Sequence, residues 1–133
     1  LLVNTGVAGL TPPWDDKLRW NTSTNSLDFT LDGPATMRFY ASGYIQHSVA
    51  AAAVGLWDVR ILIDGQGSSE WWTGSGEPSG VTLDVGWALC ATRDLGAGSH
   101  KIHLQARDRS SRTVALSAAT FSANRLSAIG TRR

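Results

Sequence analysis

Apolar and polar residues alternate with a period of two along most of the chain, the pattern of strands that bury one face. Val81, Leu83, Val85, Trp87 and Leu89 share one face, with Thr82, Asp84, Gly86, Ala88 and Cys90 on the other. Trp57, Val59, Ile61 and Ile63 alternate with Asp58, Arg60 and Asp64, Leu62 being the exception. Ile102, Leu104 and Ala106 oppose Lys101, His103, Gln105 and Arg107, and Met37, Phe39 and Ala41 oppose Arg38, Tyr40 and Ser42. Four segments of one period are hard to reconcile with helices.

The breaks between these runs carry turn chemistry. Residues 21–25, Asn-Thr-Ser-Thr-Asn, predict a hairpin turn between residues 18–20 and the strand at 27–31. Asp32-Gly33-Pro34 is a second break, Asp64-Gly65 opens a loop running through Gly67, and residues 74–80 form a glycine-rich loop interrupted by Pro78. Gly96 and Gly98 precede the strand around Ile102, and residues 108–111 make a polar turn. The alanine-rich residues 48–54 are too few for a stable isolated helix and read as a loop or small-residue packing segment. Turns every ten or so residues fit a sandwich or barrel. The expectation is an all-β chain forming a single jelly-roll-like β-sandwich of about eight to ten antiparallel strands over residues 1–133. Residues 1–13 supply an N-terminal strand or a connector to a preceding segment.

Composition adds boundaries. A chain of 133 residues, 42% apolar and 17% charged, builds one ordinary globular core without needing metals or disulfides. A net charge of +1 gives no reason to expect nucleic acid, and the basic cluster of Arg125, Arg132 and Arg133 reads as a frayed C-terminal tail. No run approaches the roughly 18 apolar residues of a membrane span, so no membrane insertion is expected. Cys90, the single cysteine, lies among Ala88, Leu89 and Ala91 and reads as a small buried residue. The chain begins at Leu1 without methionine and reads as a processed or excised piece of something longer.

The chemistry of catalysis is not legible. Gly65/Gly67 and Gly74/Gly76 lack the third glycine and the following helix of a dinucleotide loop, and neither a Gly-x-Ser-x-Gly elbow nor a phosphate-loop lysine occurs. His100 and His103, three apart on a strand, face opposite ways and do not converge on one metal ion; His103 reads as a surface histidine and His47 stands alone. Asp15, Asp16, Asp28, Asp32, Asp58 and Asp64 include enough carboxylates for a glycosidase, but most sit where turns use aspartate locally. The expectation is a protein that is not an enzyme, with no cofactor and no metal.

Six tryptophans are the compositional oddity. Trp57 and Trp87 fall on apolar faces and belong to the core. Trp71 and Trp72 are adjacent on a strand, so at least one ring leaves the core, to stack on a sugar, to meet a partner, or to fold over the following loop. Trp14, after Pro12-Pro13, is a third candidate contact, plugging the sandwich end or anchoring a neighbour. Tyr40 and Tyr44 lie opposite Met37 and Phe39, leaving two aromatics for a second buried surface: an oligomer interface, or a covering sheet.

The order of features resembles a known family. Leu18-Arg19-Trp20-Asn21 leads to Leu27-Asp28-Phe29-Thr30; a glycine break precedes the tyrosine-bearing strand from Met37 to Tyr44; residues 59–65 end in Asp-Gly; Leu95-Gly96-Ala97-Gly98 introduces the strand at 99–106, and a return strand closes the series. Over about residues 14–129 this is similar to the trimeric complement/tumour-necrosis-factor-like jelly-roll modules of phage tail-fibre, tail-tip and head-decoration proteins. The family's Gly-x-Tyr entry to the long strand is replaced here by Gly33-Pro34-Ala35-Thr36. The resemblance implies a virion structural protein at the virion surface, a homo-oligomer with a trimer favoured, in contact with other virion proteins and with a host-surface glycan. The alternative function is a carbohydrate-binding module of a secreted protein.

Overall fold

The computed structural model describes residues 1–11, 18–47, 55–76, 83–109 and 119–133. Its regular structure there is nine strands: β1 (Leu2–Gly6), β2 (Asn21–Thr22), β3 (Leu27–Leu31), β4 (Ala35–His47), β5 (Gly55–Ile63), β6 (Gln66–Gly76), β7 (Leu83–Leu95), β8 (Gly98–Asp108) and β9 (Ala119–Arg132). Every pairing is antiparallel. One sheet has the order β1-β9-β4-β7, the other β2-β8-β5-β6, with β3 also on β8. We call them the front and back sheets.

β2 and β3 pair with successive stretches of β8, Thr22 opposite Gln105 and Leu27 opposite Ile102, so they share one strand position. Residues 21–25 are therefore not the hairpin turn their composition predicts. The four residues between β2 and β3 bulge out while the chain keeps its direction. Ser23 repairs the ladder there: its amide donates to the Leu104 carbonyl at 2.9 Å and its hydroxyl accepts from the Leu104 amide at 3.1 Å. With β2 and β3 counted together, each sheet is four strands wide and the chain winds between them as a jelly roll, the expected fold.

Three short connections close one end of the sandwich: residues 32–34, 64–65 and 96–97. Asp64 and Gly65 at φ 48° and 80° make the two-residue turn whose twist suits a hairpin, so β6 starts directly at Gln66. Of the loop expected at 74–80, Gly74, Ser75 and Gly76 instead pair with Trp57, Leu56 and Gly55, and residues 77–80 lie outside the described residues. The expectations for Trp14, for Asp15-Asp16, for residues 48–54 and for residues 110–111 of the polar turn lie outside the described residues; Asp108 belongs to β8. The C-terminal arginines are not a frayed tail. β9 runs to Arg132, which pairs with Asp32 at 2.6 Å, and Arg133 reaches Asp94 at 3.3 Å.

Alternation places the core between the sheets. Met37, Phe39, Ile45, Trp87 and Leu126 point inward from the front sheet, and Trp57, Val59, Ile61, Ile102 and Leu104 meet them from the back. Phe29 and Phe39 bridge the layers with ring centroids 6.4 Å apart. The four alternating segments of the sequence are thus β4, β5, β7 and β8, each with its apolar set inside; Val81, expected on the same face as Leu83, lies outside the described residues.

Candidate functional site

Since one set of positions is spent on the core, chemistry resides on the two outer faces. On the back sheet the register brings Thr22, Gln105, Arg60 and Trp71 into one cross-strand row, and Arg107, Asp58 and Thr73 into the next. Trp20, just before β2, covers both. Its ring lies under the Arg60 guanidinium at 4.1 Å and the Arg107 guanidinium at 4.6 Å, and Arg107 also lies 4.9 Å from the Trp71 ring. The Trp20 and Trp71 centroids are 5.7 Å apart at 44°. Arginine stacked on indole gains from both the ring quadrupole and dispersion.

Beneath these rings runs a polar network. Gln105 Oε1 accepts from Arg60 Nε at 2.8 Å while its amide nitrogen donates to Thr22 Oγ1 at 2.8 Å. Asp58 is only 1% exposed although it points away from the core, because the arginines and Thr73 cover it. It accepts from Arg107 Nε at 2.6 Å and Thr73 Oγ1 at 2.7 Å, with Arg109 Nε at 2.9 Å. Burial pushes the Asp58 carboxyl up, but the bonds from Arg107, Thr73 and Arg109 outweigh it and hold it below the ordinary carboxylate range. Burial, helped by the Arg107 charge, lowers Arg60. Asp58 is thus not among the turn aspartates; it is the mid-strand counter-ion of this face.

Of the adjacent tryptophans, Trp71 is the ring that leaves the core, at 47% exposed, while Trp72 turns inward and packs against the buried cluster. The sequence shows that one ring must leave; the pairing of Trp71 with the outward Arg60, and of Trp72 with the inward Val59, shows which.

The front sheet's outer face has another character. Leu2, Tyr40, Tyr44 and Ile129 are exposed on it, the tyrosines at 42% and 39%, with no second sheet over them. Asn4, Ser127, Tyr40 and Cys90 form one row, and Gly6, Arg125, Ser42 and Ala88 the next. A depression of about 590 Å³ runs between Tyr40, Ala88, Cys90 and Arg125. Cys90 is exposed here, not buried as its neighbours suggest. Leu89 and Ala91 turn inward, so alternation on β7 sends the thiol out; the apolar neighbourhood in sequence is not a neighbourhood in space.

The histidines stay apart. His100 lies on the inner side of β8, with Nδ1 2.8 Å from Asp64 Oδ2, Nε2 3.0 Å from the Gly96 carbonyl and its ring 5.5 Å from Phe29. His103 faces outward, and burial pushes it down. No group of three metal-ligating side chains occurs among the described residues. No family model matches the chain, and no curated protein does.

Trp20, Arg60, Arg107 and Asp58 are the site residues that sequence reasoning missed as a group. The visible signal was an arginine on each of two alternating strands; which row they share depends on register.

Proposed function

We propose that the chain is a non-catalytic assembly and display module, a jelly roll that associates with copies of itself through the outer face of its front sheet. The observation that carries this reading is the concentration of Leu2, Tyr40, Tyr44 and Ile129 on one outer face, with Ser42, Ala88 and Ser127 leaving the backbone approachable between them. Tyrosine is enriched at protein interfaces because it buries a large ring with little entropy loss and keeps a polar tip. The virion-surface setting, with a trimer and neighbouring virion proteins, is supported by the sequence resemblance alone.

Sedimentation velocity tests the assembly. The expected species is a multiple of the 14.2 kDa chain, a trimer in the favoured case. Tyr40→Glu with Tyr44→Glu should return it to monomer with an unchanged β-type circular dichroism spectrum. Wild type that stays monomeric at tens of micromolar overturns the reading. Mass spectrometry of purified particles tests the virion setting.

A second reading, glycan binding, is favoured by one observation: the exposed Trp71 ring stands beside hydrogen-bonding groups on the opposite outer face, the arrangement that stacks a sugar ring and orients its hydroxyls. The two readings use different faces and are compatible, whether in a virion protein or in a secreted carbohydrate-binding module. Loss of signal on a glycan array with Trp71→Ala checks it.

A further inference from the structure

We infer that the back-sheet face is a site for an acidic saccharide, in which Trp71 stacks on the apolar face of a sugar ring and Arg60 receives its carboxylate. The inference rests on the glycan reading of Trp71 and adds the ligand's charge class and the residue that selects it.

The cations of this face differ in whether they are already neutralised. Arg107 and Arg109 share the buried Asp58, Arg107 through a 2.6 Å hydrogen bond and Arg109 as an ion pair at 2.9 Å. Arg60 has no carboxylate: its Nε donates to the neutral Gln105, and among the described residues its two terminal nitrogens meet no acceptor. Those nitrogens are not among the buried unpartnered atoms, so they reach solvent. The guanidinium is nonetheless held in place. One face lies 4.1 Å from the Trp20 ring, and it runs so close to Gly67 that a Cβ there would stand 2.6 Å from Nη1. Gln105, itself buried, is fixed in turn by Thr22. A partly desolvated, immobilised guanidinium presenting its Nη edge matches the plane and spacing of a carboxylate, and little rotamer freedom remains to be lost on binding.

The neighbouring ring decides what carries that carboxylate. The Trp20 face is occupied by the two arginines; Trp71, though Arg107 lies 4.9 Å from its ring and Trp20 packs beside it, remains 47% exposed and supplies the stacking surface. One charge and one ring face per ligand unit fit a uronic-acid residue, whose C–H face and carboxylate diverge from the same ring. A polyphosphate backbone would call for a basic tract, whereas this face spends its other two arginines on Asp58 and the chain carries only +1 overall.

The test uses the whole chain and a charge-matched probe pair, trigalacturonate and its methyl ester, titrated by tryptophan fluorescence, alongside an array of neutral and acidic glycans. Wild type should bind the acid at least tenfold more tightly than the ester, and added salt should narrow the gap. Arg60→Gln should cost about tenfold against the acid and leave the ester unchanged; Arg60→Lys, which keeps the charge, should recover part of it. Trp71→Ala should weaken both. Melting temperatures of the variants separate binding loss from unfolding. Equal binding of acid and ester overturns the acidic class while leaving the glycan reading in place. No binding to either probe or to any array glycan overturns both.

Discussion

Asp58 is a charge placed where few charges survive, in mid-strand and out of water, and it is tolerated because two hydrogen-bond donors and a second arginine converge on it. Removing it leaves Arg107 and Arg109 partly covered and unneutralised. Asp58→Ala should therefore lower unfolding free energy by about 3 kcal/mol in urea titration, whereas Thr73→Val, which deletes one donor, should cost about 1 kcal/mol. The folded-state carboxyl titrates below its ordinary 3.8, so its contribution is present above that value and is lost as pH falls through the depressed one. None of this is legible from Asp58 in the sequence, where it looks like any polar residue opposite an apolar face.

His100 and Asp64 form a second, weaker clasp with two pH limits. Burial pushes the imidazole down, but the bonds to Asp64 and to the Gly96 carbonyl outweigh it and raise it above its ordinary 6.5. Burial pushes Asp64 up, and the Lys101 amide and His100 outweigh that and lower it from 3.8. The histidine contribution is complete below 6.5 and disappears as pH rises through the raised value. The aspartate contribution holds above 3.8 and disappears as pH falls. The clasp is thus strongest between about pH 4 and 6.5. His100→Gln should cost about 1 kcal/mol at pH 5.5 and flatten the decline in melting temperature between pH 6 and 8.

At the scale of elements, strand length and face are the legible properties. The inward sets of β4, β5, β7 and β8 follow from alternation because a pleated strand sends successive side chains to opposite faces whatever surrounds it. Irregularities are less legible. The front sheet changes register between Ser42 and Tyr44, where β9 carries one extra residue and Ala123 adopts φ 51°. Gly43 sits opposite, against Asn124 and Trp87, and a Cβ there would stand 2.7 Å from Asn124 Oδ1 and 2.9 Å from the indole. Both neighbours are buried and hemmed in, so Gly43→Ala should destabilise by about 1–3 kcal/mol. Ala123→Gly, which relieves a left-handed alanine, should stabilise by up to about 1 kcal/mol. Thermal melts of the two variants should move in opposite directions. The bulge between β2 and β3 teaches the same lesson: Asn-Thr-Ser-Thr-Asn has the composition of a hairpin turn, but β8 offers both flanking segments partners, and pairing overrides local turn preference.

For the whole molecule, the jelly-roll order joins strands distant in sequence: β1 pairs with β9, and β3 with β8. Loop closure must precede most of the stabilising contacts, so refolding should be slow for the chain's size, in the range of about milliseconds to seconds by stopped-flow tryptophan fluorescence. A submillisecond phase accounting for the full amplitude would contradict this topology. The fold also separates the two outer surfaces: in front, tyrosines, Leu2 and Ile129 set among small polar residues with Arg38 and Arg125; behind, the arginine and tryptophan cluster. Cys90 is exposed on the front and tests the proposed assembly: its thiol should label readily in the Tyr40→Glu, Tyr44→Glu double variant and several-fold more slowly in wild type, and equal labelling would count against the proposal.

The sequence by itself determined the all-β class, the faces of four principal strands, the core tryptophans Trp57 and Trp87, and the outward tyrosines. These follow from the two-residue period of a strand, a local property. The tertiary structure alone decided that Trp71 and not Trp72 stands outside, that Arg60 lacks a counter-ion among the described residues while Arg107 has one, and that Cys90 is exposed on a face shared with Tyr40. Those facts depend on which strands are neighbours and in what register, and register is set by long-range pairing that no single segment encodes.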